Sequence, residues 1–100
     1  MRLPKEDQER KQIRIYDGFI KYFPDAIVEV TKISCKGSNQ HHADKPIHWD
    51  RDKSKEELNS LMRHLLEAMQ TDDVEDWARV AWRAMANLQK KTEQKNKGTL

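Results

Sequence analysis

Apolar positions recur every three or four residues through most of the second half of the chain. Leu58, Leu61, Met62, Leu65, Leu66 and Met69 trace one continuous stripe, the signature of an amphipathic helix ending near Gln70. Ser54, followed three residues later by Glu57, forms a capping box that starts this helix. The polar turn QTDD comes next, with Asp72 or Asp73 as the following N-cap. A helix over about 73–91 then carries Val74, Trp77, Ala78, Ala81, Met85 and Leu88 on one face, opposite Glu75, Arg79 and Arg83. So short a turn predicts an antiparallel helix pair.

Upstream the pattern is weaker. Tyr16, Phe19, Ile20 and Phe23 fall at helical spacing, yet Gly18 and the YFP turn argue against one long helix. Pro24 suits the first position of a new helix over about 24–34, with Ile27, Val30 and Ile33 on one side and Gly37 as its stop. No segment alternates well enough for a sheet. The expectation is an all-α domain: a shorter helix, a long connecting loop and an antiparallel pair. Residues 1–12 read as a polar flexible N-terminus, 13–90 as a single helical domain and 91–100 as a polar tail.

Composition changes this picture in one respect. Apolar residues make up 36% of the 100 positions and charged residues another 36%, which is thin for a core. Chains this short bury only about 60–65% of their unfolded surface, so self-association into a dimer or larger homo-oligomer is expected. Net charge, +2, decides little. The lysine-rich run KKTEQKNK at 90–97 reads as a solvated helix end rather than a nucleic-acid grip. No apolar run approaches a membrane span, and the charged start lacks a secretory h-region, so the expected place is the cytoplasm. One cysteine, Cys35, excludes an internal disulfide framework and a cysteine-rich zinc site.

Candidate chemistry concentrates in the aperiodic connector, about 36–53, which is longer than ordinary loops within domains. Its stretch SNQHHADKPIHWD holds His41, His42, His48 and Trp49, with Arg51 just beyond. Adjacent histidines seldom ligate one metal, because neighbouring side chains in extended backbone point apart. Trp49 offers a face for packing or for a nucleobase. On the next helix Glu57, Ser60, His64 and Glu67 form one ridge beside Arg63; on the last, Arg79 and Arg83 stand four apart and can grip a phosphate or pair with nearby carboxylates. Asp25 and Glu29, also four apart, form a carboxylate pair that becomes a divalent-metal platform when a second helix adds to it. The loop is expected to wrap over the helix pair, bringing His41, His48 and Trp49 near Arg63 and His64.

The runs YDGFIKYFPDAIVEVTKISCKGSNQHH, PIHWDRDKS, LMRHLLEA and ARVAWRAMANLQ, spanning about 13–90, resemble a family of small phage-encoded proteins. These are the N-terminal domains of dATP/dGTP diphosphohydrolases, similar to the all-α MazG-like nucleoside triphosphate pyrophosphohydrolases. The resemblance implies a cytosolic phage-type protein working on nucleotides. It implies carboxylates in E-x-x-E and E-x-x-D spacing holding Mg²⁺, which activates a water to release the monophosphate and pyrophosphate. The only E-x-x-E here is Glu6 to Glu9, and the nearest second element is Asp73 to Asp76. In their place Asp25, Glu29 and Glu57 stand as metal candidates, with Glu29 and Glu67 as candidate catalytic carboxylates. The nucleotide contacts expected are His41, His42, His48, Trp49, Arg51, Arg63, His64, Arg79 and Arg83. With basic and aromatic groups in abundance and the carboxylate signature incomplete, nucleotide binding is favoured over hydrolysis. A sponge for a host nucleotide signal and a helical protein-interaction module are the alternatives.

Overall fold

The 3.6-residue apolar period is realised as helix throughout the computed structural model, which describes residues 1–41, 44–52 and 55–98 (for 39–41 and 98 the backbone alone). The protein is all-α, with no strand among the described residues. Helix α1 covers Asp7–Gln12, α2 Pro24–His41, α3 Glu57–Thr71 and α4 Val74–Gly98. Helix α4 is the hub, packing along both α3 and α2. None of these helices is long and apolar enough to cross a membrane.

The polar N-terminus contains a short helix, because the Glu6 carboxylate accepts the Gln8 and Glu9 N–H groups at 3.0 and 2.9 Å and so caps α1. After it, Tyr16–Ile20 makes a single π turn, closed by the Lys21 N–H on the Tyr16 carbonyl at 2.9 Å. The chain breaks at Tyr22–Phe23 and restarts at Pro24, where the missing N–H is one that a first turn leaves unpaired anyway. Phe23 supplies the first helical acceptor, its carbonyl taking the Ile27 N–H at 2.9 Å.

Three sequence expectations are corrected. Gly37 does not stop α2, which runs on to His41; no glycine takes the left-handed backbone a helix stop of that kind needs. The connector is shorter accordingly. The last helix continues past residue 91 to Gly98, so part of the polar tail is regular helix. At the start of α3, Glu57 is the first helical residue and its carboxylate turns toward α4 rather than back along its own helix; Ser54 lies outside the described residues.

The α3–α4 turn is as short as expected. Asp72 takes the left-handed conformation, φ 51°, its N–H bonding the Ala68 carbonyl at 2.8 Å. Its carboxylate accepts the Trp77 indole N–H at 2.9 Å, and the Asp73 carbonyl accepts the Trp77 backbone N–H at 3.0 Å. That local bonding offsets the strain of a left-handed non-glycine residue.

The packing follows the apolar pattern only in part: Ile27, Val30, Ile33, Leu61, Leu65 and Ala81 are half-buried, but much of the pattern is not. Among the described residues the buried hydrophobic ones are Ala68, Ala78 and Ala86, and no large side chain is fully enclosed. Leu58, Met62, Leu66 and Met69 on α3, and Val74, Trp77, Met85 and Leu88 on α4, are each 40–64% exposed. Polar groups share the seams: Ser38, Glu57 and Ser60 are buried. The radius of gyration is 15.8 Å, against about 13 Å for a closed domain of this length. The accessible surface of 8396 Å² likewise exceeds the roughly 6,000 Å² of a compact monomer of this mass.

Gly37 yields a direct test of the α2 extension. A Cβ added there meets nothing within 4 Å, and its backbone is helical. Gly37→Ala therefore raises the folding free energy in urea titration by about 0.5–1 kcal/mol; a loss would place the helix end before residue 37.

Candidate anion-binding site

The second half of the connector is fastened to the helices at several points. On the α2 side, the His48 N–H donates to the Ser38 hydroxyl at 3.3 Å. On the α4 side, the Trp49 ring meets Trp82 edge to face, centroids 5.6 Å apart at 81°. Trp82 is itself held by its indole N–H on the Ser34 hydroxyl of α2. The loop thus seals the α2–α4 seam with two tryptophans, both half-buried.

Cations gather on these rings. The Arg51 guanidinium lies 4.7 Å from the Trp49 centroid and the Lys90 ammonium 5.6 Å from it; Arg83 sits 5.3 Å from Trp82. Each also has an anionic partner. Arg51 pairs with Glu93, and the Lys90 ammonium donates to the Arg51 carbonyl at 2.8 Å and to Glu57 at 2.9 Å. Arg83 reaches the other Glu57 oxygen at 3.2 Å. Burial by itself would raise the Glu57 pKa, but the hydrogen bonds and charges of Lys90 and Arg83 outweigh it and hold the carboxyl below its ordinary value. The Glu93 carboxyl is held low by the bond from Arg51.

Beside this cluster a groove of about 830 Å³ lies between the loop and the C-terminal half of α4. Six cations line it, Arg2, Arg51, Lys55, Lys90, Lys91 and Lys97, against three carboxylates, Asp52, Glu57 and Glu93. The excess of positive charge suits an anion.

The expected site residues divide. Trp49, Arg51 and Arg83 do meet, around Trp82, Lys90 and Glu57. His48 is on the loop, Nδ1 3.1 Å from the Pro46 carbonyl and Nε2 3.3 Å from Asp50. Arg79 is committed to Glu75 and Asp76 at 3.1 and 2.9 Å, and Arg63 bonds the Ser60 hydroxyl at 3.2 Å. His64 faces the α3–α4 seam; its Nδ1 is buried without a hydrogen-bond partner, the nearest Glu67 oxygen standing 3.8 Å away. His41 ends α2 with its backbone alone described, and His42 lies outside the described residues.

The carboxylates proposed for Mg²⁺ do not come together. Glu29 pairs with Lys32 at 3.0 Å and Glu57 is saturated by Arg83 and Lys90, while Glu67, the other candidate catalytic carboxylate, lies by His64. Among the described residues no group of three or more His, Cys, Asp or Glu side chains is placed to hold a metal ion. The donor set thus does not fit a metal centre at Asp25, Glu29 and Glu57.

Sequence reasoning missed Lys90, Glu93 and Trp82 as members of the site. The signal was present: Arg79, Arg83, Lys90 and Lys97 step by 4, 7 and 7, one cationic ridge once α4 is carried to Gly98. No protein family model, characterised protein or solved structure matches this chain.

His64 supplies the pH test. Burial first, then the charges of Arg83, Arg79 and Arg63, push its pKa below 6.5, with Glu67 opposing. The unfolded chain therefore takes up this proton more readily, so stability falls as pH drops through about 6.5. Thermal unfolding between about pH 7.5 and 5.5 shows that decline in the parent, and His64→Gln makes it shallower. An unchanged slope would place the imidazole in solvent.

Proposed function

We propose that the protein binds a nucleotide-type ligand, its phosphates in the basic groove and its base against the Trp49 side of the loop. One observation carries the reading: Arg51 and Lys90 both line the groove and both lie on the Trp49 ring. A polyphosphate held by these two cations thus lies beside the Trp49 ring, whose face a base reaches once the Arg51 side chain swings off it. Base stacking on such a face is sequence-tolerant and contributes about 1–3 kcal/mol. Lys55, Lys91 and Lys97 are exposed on the groove walls, free to bend toward phosphate oxygens.

The chemistry favours holding the ligand over cleaving it. Phosphate hydrolysis of the MazG-like kind requires several carboxylates on one cation. Here Glu57 and Glu93, the groove carboxylates with defined partners, are neutralised by Arg83, Lys90 and Arg51. The reading is thus of a phage-type cytoplasmic protein that sequesters a nucleotide intact, with Mg²⁺ accompanying the ligand's phosphates rather than a protein cage.

Titration with a purine nucleoside triphosphate is expected to quench tryptophan fluorescence, with affinity falling as salt rises. Trp49→Leu weakens binding about tenfold while leaving inorganic triphosphate binding nearly unchanged, which separates base from phosphate recognition. Chromatography of the bound fraction returns the nucleotide unaltered. Absence of binding at millimolar ligand would sink the reading. Conversion to monophosphate and pyrophosphate would replace it with the hydrolase.

A further inference from the structure

The exposed apolar side chains of α3 and α4 are not scattered. On α3, Leu58, Met62, Leu66 and Met69 step by 4, 4 and 3; on α4, Val74, Trp77, Met85 and Leu88 step by 3, 8 and 3, with half-buried Ala81 midway between Trp77 and Met85. These are the spacings of a helix seam. On α4, the residues that meet α2 and α3, among them Glu75, Arg79, Trp82, Arg83 and Lys90, occupy the other arc, with buried Ala78 on the border between the two. On α3, Glu57, His64 and Ala68 turn toward α4, and the exposed stripe lies to one side of them. Helical geometry then puts both stripes on the side of the α3–α4 pair away from α2.

We infer that this face is covered by a second copy of the chain, the two α3–α4 pairs stacking antiparallel into a four-helix bundle with α2 on the outside. The size is right. Eight side chains 40–64% exposed present on the order of 900 Å², close to the roughly 800 Å² per partner of a stable interface. A free monomer seldom leaves so large an apolar patch in water.

Charge selects the copy and its direction. At the turn end the stripes run into Asp72 and Asp73; at the other end the α4 stripe continues, three and seven residues past Leu88, as Lys91 and Lys95. All four are exposed. The Glu57 bonds to Arg83 and Lys90 set Leu58 level with Leu88, so the two stripes end together. Rotating one copy by half a turn about an axis through the middle of the face brings each acidic turn against the other copy's lysines, and does so twice. A parallel stack sets like charges together. The face is thus complementary to itself in one orientation. Lys91 also rims the basic groove, leaving Arg51, Lys90 and Lys97 for a ligand; the inference does not rest on the nucleotide reading.

Sedimentation equilibrium of the full chain tests it. The parent is expected to be a dimer at micromolar concentration. Leu66→Glu, at a position 60% exposed in the monomer, keeps its helical circular dichroism and raises the dissociation constant about 100-fold. Asp73→Lys and Lys91→Asp each weaken the dimer about tenfold, and an equimolar mixture of the two restores it, because both cross-copy contacts are then opposite in sign. A monomeric parent overturns the inference, and leaves the face to some other partner. A dimer that survives Leu66→Glu, or a mixture no tighter than its components, overturns it equally.

Discussion

Everything else in the structure depends on one carboxylate. Glu57, at the first position of α3, sits 8% exposed between Lys90 and Arg83, one oxygen to each. A buried carboxylate is costly unless paired, and two cations from one helix satisfy both of its oxygens. In return they set the register of α3 on α4 at the end farthest from the turn. The same two cations reach further. Lys90 holds the Arg51 carbonyl and lies over Trp49, and Arg83 lies over Trp82. Helix pairing, loop closure and the floor of the groove are therefore parts of one network. Such networks specify geometry better than they add stability, since desolvation offsets much of the attraction.

That network explains why polar groups share the seams with half-buried Ile33, Leu61, Leu65 and Trp82. In an ordinary small domain the apolar stripe of each helix turns to the core. Here α4 spends its inward arc on Glu75, Arg79, Arg83 and Lys90, and the alanines Ala78 and Ala86 let the neighbouring helices approach. Eight of the large apolar residues of α3 and α4 are left facing outward. A fold of this kind is half of a hydrophobic interior, and the antiparallel pairing of two copies proposed above would supply the other half.

Helix type, the start at Pro24, the short Asp72–Asp73 turn and the antiparallel pair were legible in the sequence, because periodicity and capping chemistry act locally. Gly37 misled, because a glycine marks a helix end only when its backbone turns left-handed, and α2 carries it straight through. KKTEQKNK was legible as a solvated helix end, but the helix was expected to stop near 91, whereas Lys90 and Glu93 bind Arg51 of the loop and α4 runs on to Gly98. Within the site, Trp49 and Arg51 were readable from an aromatic and a cation in a long loop. Lys90 was legible as part of a cationic ridge, but its pairing with the loop, like that of Trp82 and Glu93, was not, because contacts between residues 33 to 42 positions apart are fixed by packing rather than by spacing. Glu57 was legible as a carboxylate but not as a counter-ion, since nothing in its own helix reveals the two cations facing it.

The most direct test of this account is the folding free energy of Glu57→Gln, measured by urea unfolding against the parent at equal protein concentration. Glutamine keeps the shape and an acceptor but removes the charge that both cations share. If Glu57 is the joint described, stability falls by about 1–2 kcal/mol, the difference between charge-assisted and neutral hydrogen bonds in a desolvated seam. A variant within about 0.5 kcal/mol of the parent, the usual result for an exposed surface charge, would contradict it.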